Sequence, residues 1–215
     1  MKEQKSIRRL VRVASKYDWL LLYLWAIIVI GWQVDRPIPG GTIIAIVVPV
    51  FVYLRYGDGQ QPLKYLRLVP EDQLATIGWA VMLGSIFAGI TLTKAWLYSE
   101  AAFYWQWSWQ EWISLVLTSC VVEEIFFRGF ILQKLTQMTG FAIANGITAA
   151  LFTASHGFVW WADSLNQVQW VTHAAYILVL GWLLGYVFRA SRTLWIPIMI
   201  HGVNNMVALI TIRWN

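Results

Sequence analysis

The residues able to do chemistry in this chain stand where charge is expensive. Glu123, Glu124 and Arg128 interrupt the apolar run that begins near Trp112. His156 lies in a later one, behind Phe152, and His201, Asn204 and Asn205 lie in a third. A charged side chain near the centre of a membrane helix costs roughly 2.5–3.5 kcal/mol on insertion scales, so these positions mark function. A carboxylate beside an imidazole can take a proton from water and make a nucleophile. His201 and Asn205 carry N–H groups suited to an oxyanion. Together these groups can hydrolyse an amide bond inside a membrane.

Helical spacing arranges them further. Glu124 and Arg128 are four apart and share one helix face with Cys120, while Glu123 points about 100° aside, toward a different neighbour. Phe152 and His156 are again four apart, as are His201 and Asn205. Pro197, four before His201, is expected to loosen its helix and free a carbonyl near the site. The single cysteine, Cys120, excludes an intrachain disulfide and reads as a packing residue, and no Cys/His cluster suggests structural zinc.

Elements that could hold such groups are written in the composition. Hydrophobic residues make up 59% of the 215 and charged residues 13%, with a mean hydropathy of +0.57. A soluble domain carries about 25% charge, so this chain lacks the polar surface for water. It reads as an all-α, polytopic membrane protein of about seven transmembrane helices. The apolar stretches lie near Trp19–Trp32, Gly40–Tyr56, Leu74–Thr93, Trp112–Leu132, Phe141–Trp161, Val171–Phe188 and Leu194–Ile212. Each approaches the roughly 20 residues that cross a hydrocarbon core. Residues 1–18 form a basic segment ahead of one transmembrane domain, 19–215, and the first apolar run is expected to be a retained helix because no small-residue cleavage site follows it.

Charge sets the orientation. With the N-terminus cytoplasmic, the inner side receives Lys2, Lys5, Arg8, Arg9, Arg12, Lys16, Arg55, Lys64, Arg67, Lys134, Arg189 and Arg192, against Arg36, Lys94 and Arg213 outside. That asymmetry is the positive-inside pattern, and it accounts for the net charge of +5 without a nucleic-acid partner. Trp32, Trp96, Trp105, Trp107, Trp109, Trp112, Trp160, Trp161, Trp170 and Trp214 then read as an interfacial belt on the outer face. His173 reads as an interfacial polar residue. Asn145 either lines the site or bridges helices, and Gly181 and Gly185 favour close packing within the chain.

Three short patterns carry a resemblance. Glu123-Glu124-Ile125-Phe126-Phe127-Arg128 fits Glu-Glu-x-x-x-Arg, Phe152–His156 fits Phe-x-x-x-His, and His201–Asn205 fits His-x-x-x-Asn. In this order they resemble the CAAX protease and bacteriocin-processing (Abi) family of glutamate-dependent intramembrane proteases. The resemblance implies an endopeptidase in which Glu123 activates water with help from His156. It also implies that Glu124 supports, Arg128 orients the motif, and His201 and Asn205 stabilise an oxyanion.

No cofactor is expected to be required; should a divalent metal such as zinc take part, Glu123, His156 and His201 are the candidate ligands. Arg128 beside the carboxylates argues against one. Eukaryotic members resembling this chain trim prenylated C-terminal Cys motifs. The short chain looks bacterial, which points to the cytoplasmic membrane and to a membrane-anchored protein or peptide substrate, such as one bearing a C-terminal sorting signal. The rival classes are a proton-coupled transporter, against which the lack of an inverted repeat weighs, and a non-catalytic immunity or scaffold protein.

Overall fold

A computed structural model describes residues 18–35, 41–69, 73–98, 108–162 and 164–211. Among them every regular element is helical: α1 Asp18–Asp35, α2 Ile43–Gly57, α3 Pro62–Tyr65, α4 Gln73–Tyr98, α5 over 109–139, α6 Phe141–Ala162, α7 Gln167–Ser191 and α8 Trp195–Thr211. The seven long helices follow the seven apolar stretches. The eighth, α3, is a single turn begun by Pro62 that the apolar pattern does not announce. By length and composition α6 and α7 are able to cross a membrane, with mean hydropathies of 1.2 and 1.7. Leu21, Ile28, Ile44, Trp79 and Val171 point outward and exposed. A surface this apolar belongs in lipid.

Helix α5 is the axis of the bundle. Its segment Ile125–Leu132 is buried on every side, as expected of a helix apolar all round. The same eight residues wind with i→i+5 hydrogen bonds, a π-helical form found often at functional sites. Gly129 makes this close packing possible, because a Cβ there would stand 2.9 Å from the Leu66 side chain. Phe127 meets Phe152 of α6 edge-on at 5.1 Å between centroids, and Phe130 meets Tyr53 of α2 edge-on at 5.7 Å. Leu180 and Leu184 of α7 pack with Ile196 and Ile200 of α8.

The helix ends follow local chemistry. Helix α5 continues past the expected end near Leu132, because Gln133–Thr139 keep the helical ladder until Gly140, whose φ of 82° stops it. Asn166 and Gln169 form a reciprocal capping box at the start of α7. Arg192, with φ 57°, ends that helix. Asn145 bridges helices: its Nδ2 donates to the Trp182 carbonyl at 3.0 Å, and its carboxamide lies against Gly185. Gly181 and Gly185 thus serve packing inside the chain.

Two expectations are corrected. Pro197 falls in the first turn of α8, where its missing N–H has no helical partner to lose, so it loosens nothing near His201. Trp160, expected as an anchor in the outer belt, does not present its ring outward: it is buried and packs edge-on against Trp170. Trp109 and Trp161 are exposed as expected. Residues 1–17, with the basic segment, and Trp105, Trp107 and Trp214 lie outside the described residues.

Candidate active site

Three helices deliver the ionisable side chains to one place. From α5, Glu124 accepts a hydrogen bond from Arg128 Nη1 at 2.7 Å, with both side chains sealed from the surface. This is the four-residue pairing that helical spacing anticipates. Arg128 is further held by the Gly181 carbonyl at 3.1 Å and by the Phe152 ring, 4.3 Å from its guanidinium carbon. An unpaired ion here would be strongly unfavourable; three partners make the charge tolerable.

From α8, His201 places Nδ1 2.8 Å from Glu124 Oε1. A carboxylate only accepts, so Nδ1 carries the hydrogen and Nε2 is left facing Glu123 Oε2 at 3.8 Å. From α6, His156 repeats the pattern. Its Nδ1 lies 2.8 Å from the Phe152 carbonyl, which fixes the hydrogen on Nδ1, and Nε2 faces Glu123 Oε2 at 3.9 Å. His156 occupies the turn between the two helical segments of α6, and that turn brings it to the depth of Glu123. Phe152 stacks edge-on against both imidazoles, at 4.8 and 5.8 Å.

The site therefore has two layers. The inner one, Glu124, Arg128 and His201, is closed, with His201 only 3% exposed. The outer one, Glu123 and His156, is about a quarter exposed, 25% and 23%. Glu123 Oε2 has no hydrogen-bond partner among the described residues, so its lone pairs point at the shared space between the two Nε2 atoms. A carboxylate and two imidazole acceptors around one gap suit a donor such as water.

Asn205 stands apart from these five. It is one turn beyond His201 on α8, and its Nδ2 donates to Cys120 Sγ at 3.3 Å, one turn before Glu124 on α5. The antiparallel pair α5–α8 thus matches Glu124 with His201 and Cys120 with Asn205. Cys120 is fully buried, a packing residue as expected. Asn205 Oδ1 accepts from Asn204, whose own Oδ1 accepts from the Tyr176 hydroxyl of α7. Neither Tyr176 nor the Gly181 carbonyl was legible as a site support, since any tyrosine or backbone carbonyl reads alike in a sequence. His173 is exposed on α7 and bonded to its own helix, at 2.8 Å from the Gln169 carbonyl.

A metal is tested by the same distances. Two ligands of a tetrahedral zinc with bonds of about 2.0–2.1 Å stand roughly 3.3–3.5 Å apart. Glu123 and the two histidines are of the right type but wider than that, and among the described residues no group of three His, Cys, Asp or Glu is set to hold an ion. As placed, these residues do not fit a metal.

Residues 105–207 match the model of the type II CAAX prenyl endopeptidase Rce1-like family. All three motifs fall inside that segment, and the match bears out the resemblance read from them. No curated protein and no solved structure matches the chain.

Proposed function

We propose, from the match of residues 105–207 to the Rce1-like type II CAAX prenyl endopeptidase family, that this chain hydrolyses a peptide bond within the membrane by Glu123-activated water. The observation that carries this reading is the Glu123 carboxylate between two imidazole Nε2 atoms at 3.8 and 3.9 Å, backed by a sealed Glu124–Arg128 pair. Glu123 takes one proton from a water whose oxygen then bonds to the scissile carbonyl carbon. As the C–N bond breaks, that proton passes to the leaving nitrogen. His156, with its hydrogen fixed on Nδ1, holds the water through Nε2. Glu124 and Arg128 act on the reaction by positioning His201. His201 donates to the developing oxyanion only with a second proton on Nε2, and Asn205 does so by leaving Cys120.

The seven long helices cross the membrane in this reading, with the N-terminus cytoplasmic, in a bacterial inner membrane. The substrate is a membrane-anchored protein cut near its C-terminus, such as one carrying a C-terminal sorting signal. No metal is required. The test uses the full chain reconstituted in lipid with two quenched-fluorescent substrates, one a prenylated Cys-tailed peptide and one an apolar transmembrane tail. Cleavage of the second, unchanged by a strong zinc chelator and abolished in Glu123→Gln, is the expected result. Equal cleavage by Glu123→Gln at matched protein levels would remove the mechanism. Loss of activity to the chelator, restored by zinc, would replace it with a metal-dependent one.

A further inference from the structure

Asn204 is a buried polar residue to which the peptidase chemistry gives no task. It stands in α8 between His201 and Asn205 and is only 4% exposed. A carboxamide sealed in an apolar bundle is kept where its hydrogen bonds are met, and here those bonds form a relay across three helices. The Tyr176 hydroxyl of α7 donates to Asn204 Oδ1. Asn204 Nδ2 donates to Asn205 Oδ1 at 3.3 Å, and Asn205 Nδ2 donates to Cys120 Sγ of α5, also at 3.3 Å. The Tyr176 ring packs against the cluster of Leu180, Leu184, Ile196 and Ile200 where α7 meets α8.

The relay has a direction, and the direction matters at Asn205. A carboxamide accepts at Oδ1 and donates at Nδ2, and a half-turn about its last bond exchanges the two. Only Nδ2 can steady an oxyanion; Oδ1 in its place would repel one. Run from Tyr176, the relay begins on a phenol, a good donor, and ends on a thiol sulfur, a weak acceptor. Run the other way, it would depend on the thiol as a donor, a role to which S–H is poorly suited. The order Tyr176, Asn204, Asn205 therefore holds Asn205 Oδ1 on Asn204 and turns Nδ2 toward the α5 face that carries Glu124 one turn on. The last bond, to sulfur, is the least costly to give up, so a charged oxygen can displace it.

We propose that Tyr176 is a positioning residue of the peptidase: acting through Asn204, its hydroxyl sets the orientation in which Asn205 offers Nδ2 to the developing oxyanion. The inference rests on the proposed peptidase reading, in which Asn205 serves that oxygen. Tyr176 belongs to none of the three motifs and acts from α7, which supplies none of their residues.

The experiment uses the full chain in lipid with the substrate it cleaves, and compares wild type, Tyr176→Phe, Asn205→Ala and the double variant. Phenylalanine keeps the ring in its apolar seat and removes only the hydroxyl, so the melting temperature should stay within a few degrees. Losing an oxyanion donor lowers kcat by about 10²–10³-fold, and misaiming it should forfeit part of that, ~10-fold. The loss should fall on kcat and kcat/KM together, with KM unchanged. In the Asn205→Ala background the same substitution should change kcat less than twofold, because no amide is left to aim. Asn204→Ala should behave as Tyr176→Phe does. Wild-type turnover in Tyr176→Phe overturns the proposal. Equal loss in both backgrounds does so too, since a merely structural tyrosine would cost the same in each.

The single cysteine gives a second readout that needs no turnover. The S–H stretching band of Cys120 responds to what its sulfur accepts, so Asn205→Ala should shift it and Tyr176→Phe should shift it in the same direction. A band unmoved in either variant overturns the relay. Wild-type turnover in Asn205→Ala, or no cleavage by wild type, counts against the peptidase reading instead. The band then still decides whether Tyr176 orients Asn205.

Discussion

Arg128→Met probes the sealed layer of the site. The substitution keeps the length of the aliphatic stem and removes a guanidinium that bonds Glu124 at 2.7 Å, bonds the Gly181 carbonyl at 3.1 Å and covers Phe152 at 4.3 Å. Its partner carboxylate is fully buried and would keep only the His201 N–H at 2.8 Å. Removing one member of a buried ion pair costs about 3–5 kcal/mol, chiefly because the other charge is stranded. Adding Glu124→Gln removes that stranded charge while its amide oxygen still accepts from His201. The double variant should therefore recover about 1–3 kcal/mol relative to the sum of the single effects, the coupling expected of contacting residues. Equilibrium unfolding of all four proteins in mixed micelles measures this cycle. An Arg128→Met variant within about 1 kcal/mol of wild type, or strictly additive effects, would show that the pair is not buried as described and would refute the two-layer reading.

Other substitutions separate chemistry from packing. Glu123→Gln and His156→Ala should lower peptidase turnover by about 10²–10⁴-fold, the range for a general acid–base group, and leave the melting temperature within a few degrees, because both side chains are partly exposed. Turnover within threefold of wild type in both would sink the assignment. Gly185→Ala should destabilise the bundle by about 1–3 kcal/mol, since its methyl would overlap the Asn145 carboxamide; Asn145→Ala in the same chain should return part of that loss, measured by the same unfolding assay. Cys120→Ala should retain at least half of wild-type turnover after thiol-blocking controls, because Cys120 is a fully buried thiol packed beside Asn205; complete inactivation with an unchanged melting curve would give the thiol a chemical role.

Much of the site was legible before any fold. Glu124 and Arg128 are four residues apart, and any right-handed helix, π-wound or not, keeps that pair on neighbouring turns. The order of the three motifs pointed to the family that residues 105–207 match. The corrections came from positions whose meaning depends on where a helix begins or how it turns. Pro197 looked disruptive four residues before His201, yet it is harmless in a first turn. Trp160 read as a membrane anchor by residue type, yet its ring is buried against Trp170.

The amino-acid order alone determined the helical class, the places of the long apolar helices, though not the extra turns that carry α5 on to Thr139, and the ionisable groups worth watching. Those properties arise from local hydrogen bonding and from the cost of charge in an apolar run, both of which act within a few turns. Only the tertiary structure decided which imidazole faces which carboxylate, since His201 and Glu124 meet across 77 residues of chain. It also decided that Glu123 is open and Glu124 sealed. Adjacent residues of one helix point about 100° apart, and which of the two directions ends in protein rather than in a cleft is set by how α6 and α8 lean against α5.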